Sequence, residues 1–304
     1  MTELKKLWAL VERNMKCYFK DKFLFFVSLI TPLILLVLFV SFLRGVYLDS
    51  FNSIFESFGF TPDNGRVVEG LAGAWLLSSI LAVSAVTVAI CSNAVMISDK
   101  ISGSINDFRS SPVSGITLSV SYFLANYIVT FIVMFVVMVI GFIYLAAVGW
   151  YLTAADVLMI FVDVVCSVLF GTLLAGVIES FISTQGGLSA ISTLVSSMYG
   201  FICGAYMPLS QFAEGMRNTI GMLPGTYSVG IMRNHFMTSY IEKLGDMGLI
   251  SEGQKALMDG FDGNLYVFGT QIPIWAMYAI LLGTCAILFA VYVAIVLIKN
   301  KKKI

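Results

Sequence analysis

One acidic residue lies deep within an apolar stretch of this sequence and is the side chain that most suggests chemistry. Asp163 is followed at steps of four residues by Ser167, Gly171 and Ala175. An acid in such a stretch must face the interior of a helix bundle or a water-filled cavity. Two roles are open for it: it relays protons or contacts a cation, or it packs helices together as a neutralised or hydrogen-bonded acid. Glu179, at the end of the same stretch, is predicted to be a solvated interface charge.

Other sets of catalytic or metal-binding residues are absent from the sequence. His235 is the only histidine, so neither a His-based metal site nor a catalytic triad is possible. The five cysteines are scattered without a CxxC pair, which indicates small apolar residues and not a zinc site or disulfide framework. No Gly-x-x-x-x-Gly-Lys-Ser/Thr loop occurs. We therefore predict that this chain is not an enzyme and binds no nucleotide or other cofactor itself.

A second group of polar side chains occupies residues 97–113, which we call the polar passage. Charged and apolar residues alternate in it: Asp99, Lys100, Asp107 and Arg109 with Ile101, Ile105 and Phe108. Their spacings of four and three predict a short helix with one apolar stripe. Such a helix would lie flat at the lipid headgroups and present a surface to another protein. A solvated loop without a partner is the alternative, although a free loop would not need the stripe.

Membrane-spanning helices are the elements that position these residues. Of 304 residues, 59% are hydrophobic and 12% are charged, which excludes a water-soluble domain of this size. The apolar runs predict six spans, at residues 23–43, 70–97, 115–147, 155–178, 187–203 and 272–298. Residues 44–69 are predicted to form a polar outer loop. We expect an all-α polytopic protein with one membrane domain, residues 23–304.

The distribution of positive charge predicts the orientation. Net charge is zero, but twelve of the eighteen Lys and Arg residues lie in the first 22 residues, the polar passage and the C-terminal tail. By the positive-inside rule these three regions are cytoplasmic, which agrees with an even number of spans. We therefore expect a multi-pass protein of the cell membrane with both termini in the cytoplasm.

Two further segments are predicted to lie at the membrane surface. Residues 1–22 combine an apolar face, from Leu4 to Phe19, with a charged face, which predicts an interfacial helix and not merely the basic flank of the first span. Residues 204–233 are semi-apolar but interrupted by glycine and proline, which favours a re-entrant pair of half-helices in the outer leaflet. Residues 234–271 are predicted to form an outer amphipathic insert.

Three motifs along the chain resemble those of the type-two ABC exporter permeases, the membrane subunits of the type V ABC transporter fold. The pair Gly103-Ser104, followed by Pro112-Val113, is similar to the family's cytoplasmic coupling helix, with serine in place of the usual threonine. The family's elbow helix and first span are matched by Arg13, Asp21 and Pro32. Its signature before the last span is matched by Gly204, Pro208, Leu223, Pro224, Tyr227 and Arg233.

This resemblance implies a permease subunit of an ATP-driven exporter. Two separate ATPase subunits would bind ATP and Mg²⁺ and dock beneath the elbow and the coupling helix, residues 97–113. The implied contact set is Asp99, Lys100, Gly103, Ser104, Ile105, Asp107, Phe108 and Arg109. Its charged members would make polar contacts, and Ile105 or Phe108 would fill a groove on the ATPase. A second permease copy or a paralogue would complete the path within the bilayer, and no nucleic acid is an expected partner.

The cargo is predicted to be a hydrophobic or amphipathic small molecule, antibiotic or peptide. Residues expected on the path or at the re-entrant gate are Asp163, Tyr199, Phe201, Tyr206, Met207, Pro208, Pro224 and Tyr227. The alternative for six aromatic residues and methionines near the outer end is that they form packed core; they are Met198, Tyr199, Phe201, Tyr206, Met207 and Phe212. Export of a lipid-linked glycan is an alternative function. An ion-coupled secondary transporter is a further one, but it would need several intramembrane charges and only Asp163 is well inside.

Overall fold

The computed structural model describes residues 2–111 and 113–301, which form α-helices and one small β-hairpin. The helices are α1 (Glu3–Lys20), α2 (Lys22–Leu38), α3 (Arg44–Ser57), α4 (Gly65–Ser92), α5 (Ala94–Ser102), α6 (Ser104–Ser110), α7 (Gly115–Val148), α8 (Ala154–Ser180), α9 (Gln185–Ile202), α10 (Glu214–Gly221), α11 (Pro224–Asp246), α12 (Ser251–Gly260) and α13 (Ile274–Lys301). A π-helical turn, Phe39–Leu43, joins α2 to α3, and a 3-10 turn, Leu209–Gln211, precedes α10. Strands β1 (Leu265–Val267) and β2 (Thr270–Ile272) pair antiparallel.

Five helical segments of the described chain are long and apolar enough to cross a membrane. They are Lys22–Ser57, Gly65–Ser102, Gly115–Val148, Ala154–Ser180 and Ile274–Lys299, and they correspond to the first four and the last of the predicted spans. Helix α9 lies where the fifth span is predicted, but serine, threonine, glycine and glutamine make up half of it and lower its hydropathy. An all-α polytopic membrane protein is therefore confirmed, whereas the count of six spans stays a prediction.

The first span continues beyond its predicted end at residue 43. Helix α3 prolongs it through the π-helical turn, so the prediction of a polar loop is wrong for the first half of residues 44–69. Tyr47, Phe51 and Phe55 recur every four residues along α3 and are buried. The Phe51 ring lies 4.2 Å from the Phe261 ring, centroid to centroid. This packing stabilises a helix where the polar residues in between had suggested a loop.

Helix α4 lies at the centre of the bundle. It packs against α2, α7, α8 and α11, and all of its residues except Gly65, Arg66, Glu69 and Cys91 are buried. Many of the buried residues are Ala, Ser or Gly, and small side chains let helices approach closely in lipid. Because lipid tails are as apolar as the side chains, close packing and hydrogen bonds must hold this core together.

Gly171 of α8 marks the closest approach of α8 to α4. A Cβ atom there would collide with the carbonyl oxygen of Ala85 and lie 3.0 Å from the Cα atom of Val86. We expect Gly171→Ala to destabilise the fold by about 1–3 kcal/mol, as overpacking does, seen as a lower thermal unfolding midpoint. Gly283→Ala is the control, since a Cβ atom there meets nothing within 4 Å. Equal effects of the two substitutions would contradict this account of the contact.

Helix α11 runs unbroken across residue 233, where the sequence predicts a boundary between a re-entrant region and an outer insert. That boundary is wrong because Gly230, taken as a helix breaker, lies inside α11 and packs against Met277 and Leu265. The remainder of residues 204–233 holds the 3-10 turn and α10, and the remainder of residues 234–271 holds α12 and the hairpin. A re-entrant path within the bilayer stays a prediction.

Candidate functional site

Gly103 divides the polar passage into two helices where the sequence predicts one. Its φ angle is +81°, a left-handed conformation that glycine adopts at little cost and that commonly ends a helix. Helix α5 ends one residue before Gly103 and α6 begins one residue after it. The predicted apolar stripe is therefore split: Ile101 on α5 is 47% exposed, whereas Ile105 and Phe108 on α6 are partly buried.

Asp99, predicted to contact a partner, is buried and bonded within the chain. Its carboxylate accepts hydrogen bonds from Arg13 Nη2 at 2.9 Å, from Arg13 Nη1, and from the Tyr122 hydroxyl at 2.6 Å. The Asp99 carboxylate raises the pKa of Arg13 above its ordinary value, chiefly through its hydrogen bond. The guanidinium carbon also lies 5.1 Å from the centroid of the Phe108 ring, a cation–π distance. One cluster of side chains thus joins α1, α5, α6 and α7.

Lys100 also points into the chain. Its Nζ donates to the backbone carbonyls of Glu179 at 3.0 Å and Ile182 at 3.1 Å. A helix leaves such carbonyls without intrahelical partners at its C-terminal end, where a cation also interacts favourably with the helix dipole. Lys100 therefore fixes α5 to the end of α8 and the turn that follows it.

Glu179 is not the solvated charge that the sequence predicts. Its side chain is fully buried, and in the described chain neither carboxylate oxygen makes a hydrogen bond of normal geometry. Asn93 and Lys100 lie near enough to act on its charge. The prediction is wrong because the Glu179 side chain points inward, toward Asn93 and Lys100, although other residues at this end of α8 are partly exposed.

Since Asp99 and Lys100 bond within the chain, the exposed charge of the polar passage lies on α6. Asp107 is exposed. The half-buried members of the predicted contact set are Lys100, Gly103, Ser104, Ile105 and Phe108. The side chain of Arg109 and all of Pro112 lie outside the described residues. A cleft of about 530 Å³ opens beside α6, bounded on its other side by residues 180–183 after α8 and by Lys299. Helix α6 and this cleft form the candidate contact surface.

The predicted elbow residues take three different structural roles. Arg13 binds Asp99, as described, and Asp21 caps the next helix, since its Oδ1 accepts a hydrogen bond from the Leu24 N–H at 3.0 Å. Pro32 is buried within α2. Helix α1 is amphipathic as predicted, with its charged residues mostly exposed and Trp8 60% exposed. Its location in the membrane interface stays a prediction.

Asp163 is hydrogen-bonded on both carboxylate oxygens. Its Oδ2 lies 2.6 Å from His235 Nδ1 on α11, and its Oδ1 accepts a hydrogen bond from the Tyr278 hydroxyl on α13. Asp163 is 2% exposed. The sequence did not indicate these two partners, which are 72 and 115 residues away along the chain, because spacing along one helix carries no signal about another.

Arg233 organises the surroundings of the predicted gate. Its Nη1 donates to Asp262 at 2.7 Å, and its Nη2 donates to the carbonyls of Gly204 at 2.8 Å and Ala205 at 3.0 Å. Its guanidinium carbon lies 4.6 Å from the centroid of the Trp75 ring. Arg233 is 1% exposed, so it joins α4, α11, the segment that follows α12 and the loop after α9 from within the bundle.

The other residues of the predicted path are divided between core and surface. Pro208 and Tyr227 are buried, and the partly buried members are Tyr199, Tyr206, Met207 and Pro224. Phe201 is 52% exposed and Met198 is 51% exposed, both on α9. Of the residues that the packed-core alternative concerns, Tyr199, Tyr206 and Phe212 pack against the buried core, whereas Phe201 and Met198 present side chains on an open face of α9. A path role for any of them stays a prediction.

The family comparison agrees with the motifs. A family model described as "ABC-2 type transporter" matches residues 5–237, a range that contains most of α1, the polar passage and most of α11. No curated protein matches the chain. The residues that carry the predicted resemblance, from Arg13 to Arg233, all lie inside the matched range. The chain therefore belongs to the ABC-2 type transporter family and is the transmembrane permease component of an ABC transporter.

Proposed function

We propose that separate ATPase subunits, two per complex, drive this permease by docking on α6 and the cleft beside it. The observation that carries the proposal is the division of the polar passage at Gly103. On one side, Asp99 and Lys100 tie α5 to α1, α7 and α8. On the other, α6 leaves Asp107 exposed. A force applied to α6 therefore reaches three helices of the bundle, and ATP and Mg²⁺ are bound by the ATPases.

The cargo we propose is a hydrophobic or amphipathic small molecule, antibiotic or peptide, exported across the cell membrane. An open face of α9 supports this proposal, since it places hydroxyl groups beside apolar side chains. Its exposed residues include Ser189, Thr193, Leu194, Ser197, Met198 and Phe201. A second permease copy or a paralogue would cover this face and complete the path. In this arrangement both termini and the polar passage face the cytoplasm.

Reconstitution with and without an ATPase tests the driving force. The permease is co-expressed with a candidate ABC ATPase. We expect vanadate-sensitive ATP hydrolysis together with ATP-dependent uptake of amphipathic dyes into inside-out vesicles. Transport by the permease alone in liposomes would overturn the ATPase proposal. ATP hydrolysis stimulated by a lipid-linked glycan and not by amphipathic molecules would overturn the cargo proposal and support the glycan alternative.

A charge reversal on α6 tests the docking surface. We expect Asp107→Arg to reduce permease-stimulated ATP hydrolysis by about tenfold, since an interface contact of somewhat over 1 kcal/mol corresponds to that factor. Membrane insertion should be normal, because Asp107 is exposed. Asp49→Arg is the matched control, since Asp49 is exposed on α3. Full activity of a double reversal, Asp107→Arg with Arg109→Asp, would contradict a docking role for α6.

A further inference from the structure

Three hydrogen-bonding residues on three different helices form a closed cluster away from the polar passage. Asp163 of α8 lies between His235 of α11 and Tyr278 of α13, as described above. The side chains of Asp163 and His235 are only 1% and 12% exposed. The permease function proposed above uses none of the hydrogen bonds in this cluster.

We propose that Asp163, His235 and Tyr278 form a proton-binding site that holds α11 against α8 and α13. The Tyr278 hydroxyl donates to one carboxylate oxygen, so the short contact of the other oxygen with His235 Nδ1 needs one proton between them. When this proton and the proton on Nε2 are both present, the cluster carries no net charge. It is then either an aspartate beside an imidazolium or an aspartic acid beside a neutral imidazole. Loss of one proton leaves a single negative charge.

The surroundings favour the proton-bound form of the cluster. A net charge among apolar helices is costly, whereas a hydrogen-bonded neutral pair is tolerated. Histidine is also the side chain that ordinarily changes its charge between about pH 5 and 8. The apolar walls of the site therefore oppose its deprotonated, negatively charged state.

No other titratable group of the described residues supplies a hydrogen bond or ion pair that could take the place of this proton. Cys166, one turn along α8, acts electrostatically on Asp163 and Tyr278. Arg233 is held by Asp262. The charged residues on the other helices packed against α11, namely α4, α10 and α12, are Arg66, Glu69, Glu214, Arg217, Glu252, Lys255 and Asp259. Within the described residues, none of these hydrogen-bonds to or pairs with the cluster.

The Asp163–His235 pair lies in the contact between α8 and α11, so its proton would control how tightly these two helices pack. Three polar pairs join α8 to α11 in antiparallel register: Asp156 with Ser239, Asp163 with His235, and Ser167 with Ser228. The middle pair is the one that contains a histidine. Helix α11 begins at Pro224, in the predicted gate. Loss of the proton would weaken the contact of this helix with α8 and α13.

The single histidine of the chain makes the site directly observable. We would label the untagged full-length permease with ¹⁵N-histidine in lipid nanodiscs and follow its one imidazole signal from about pH 5 to pH 9. We expect the pH dependence of this signal to differ between wild type and Asp163→Asn, because the substitution removes the carboxylate that contacts Nδ1. Ser239→Ala, which removes only the neighbouring pair, should leave the titration in place.

A second measurement covers the case in which Asp163→Asn does not fold. In this proposal the proton holds the three helices together, so its stabilisation is present at low pH and is lost as pH rises. We expect the thermal unfolding midpoint of the wild type to fall as pH rises. The midpoint of His235→Gln should lack this pH-dependent fall. Identical titrations of wild type and Asp163→Asn, or an unchanged pH profile in His235→Gln, would overturn the proposal.

Discussion

Replacing Arg233 by methionine is expected to cost about 3–5 kcal/mol of folding stability, because it leaves the buried carboxylate of Asp262 without its cation. Asp262 is 5% exposed and would keep only the Leu209 N–H, at 2.7 Å, as a described donor. The carbonyls of Gly204 and Ala205 would lose their donor as well. The expected readout is a lower thermal unfolding midpoint and a reduced yield of monodisperse protein in size-exclusion chromatography.

Two comparison variants identify the cause of that loss. Arg44→Met breaks the exposed pair of Arg44 and Glu69, whose side chains are 41% and 38% exposed, and should cost no more than about 1 kcal/mol. Adding Asp262→Leu to Arg233→Met removes the unpaired charge and should recover much of the lost stability. If the double variant is no more stable than Arg233→Met, the buried charge is not the main cause.

The effect of Arg233→Met should also depend on pH. Burial raises the pKa of Asp262 to about 6, and Arg233 is the main group that opposes this rise. Without Arg233 the pKa of this carboxyl rises further, so the folded state binds more protons than the unfolded state up to a higher pH. Stability therefore falls as pH rises through this window. We expect the deficit of the variant to be smaller at pH 5 than at pH 8.

Replacing Asp99 by alanine is expected to uncouple ATP hydrolysis from transport. Arg13 and Tyr122 would both lose their shared acceptor, and hydrogen bonds to a charged group contribute about 1.5–3 kcal/mol. Arg13 is about one third exposed, so we expect a loss near the lower limit of that range. The larger consequence is mechanical, because α5 would no longer be fixed to α1 and α7. Transport per ATP hydrolysed in vesicles is the measurement.

A neighbouring ion pair provides the control for Asp99. Glu12→Ala removes the pair with Lys16 on the same helix as Arg13, and both side chains of that pair are more than half exposed. It should change neither stability nor coupling measurably. Conversely, a normal ratio of transport to hydrolysis in Asp99→Ala would show that this cluster does not transmit force.

Local patterns in the sequence predicted the elements that depend on local physics. The apolar runs of α2, α4, α7, α8 and α13 are long enough to cross a bilayer whatever their neighbours are. The amphipathic pattern of α1 likewise predicted its helix, since hydrophobic periodicity is a property of one segment. The family resemblance was carried by short motifs around Gly103 and Pro224 and is confirmed by the family match.

Those local patterns could not predict which side chains contact each other. The polar passage showed Asp99 and Asp107 as equivalent charges, yet one is buried against Arg13 and the other is exposed. Gly103 separates α5, which carries Asp99, from α6, which carries Asp107. Asp163 was predicted to be an interior acid, but the pattern along one helix could not show that His235 and Tyr278 lie beside it.

The amino-acid sequence by itself determined that this chain is a helical membrane protein, which family it resembles and where its unusual polar residues lie, because hydropathy and short motifs are local properties. Only the tertiary structure decided which of those residues face one another. Asp99 with Arg13, Asp163 with His235 and Arg233 with Asp262 each join different elements of the chain. Such pairs form because an isolated charge is costly inside a packed bundle, and the packing of the helices determines which partner lies within reach.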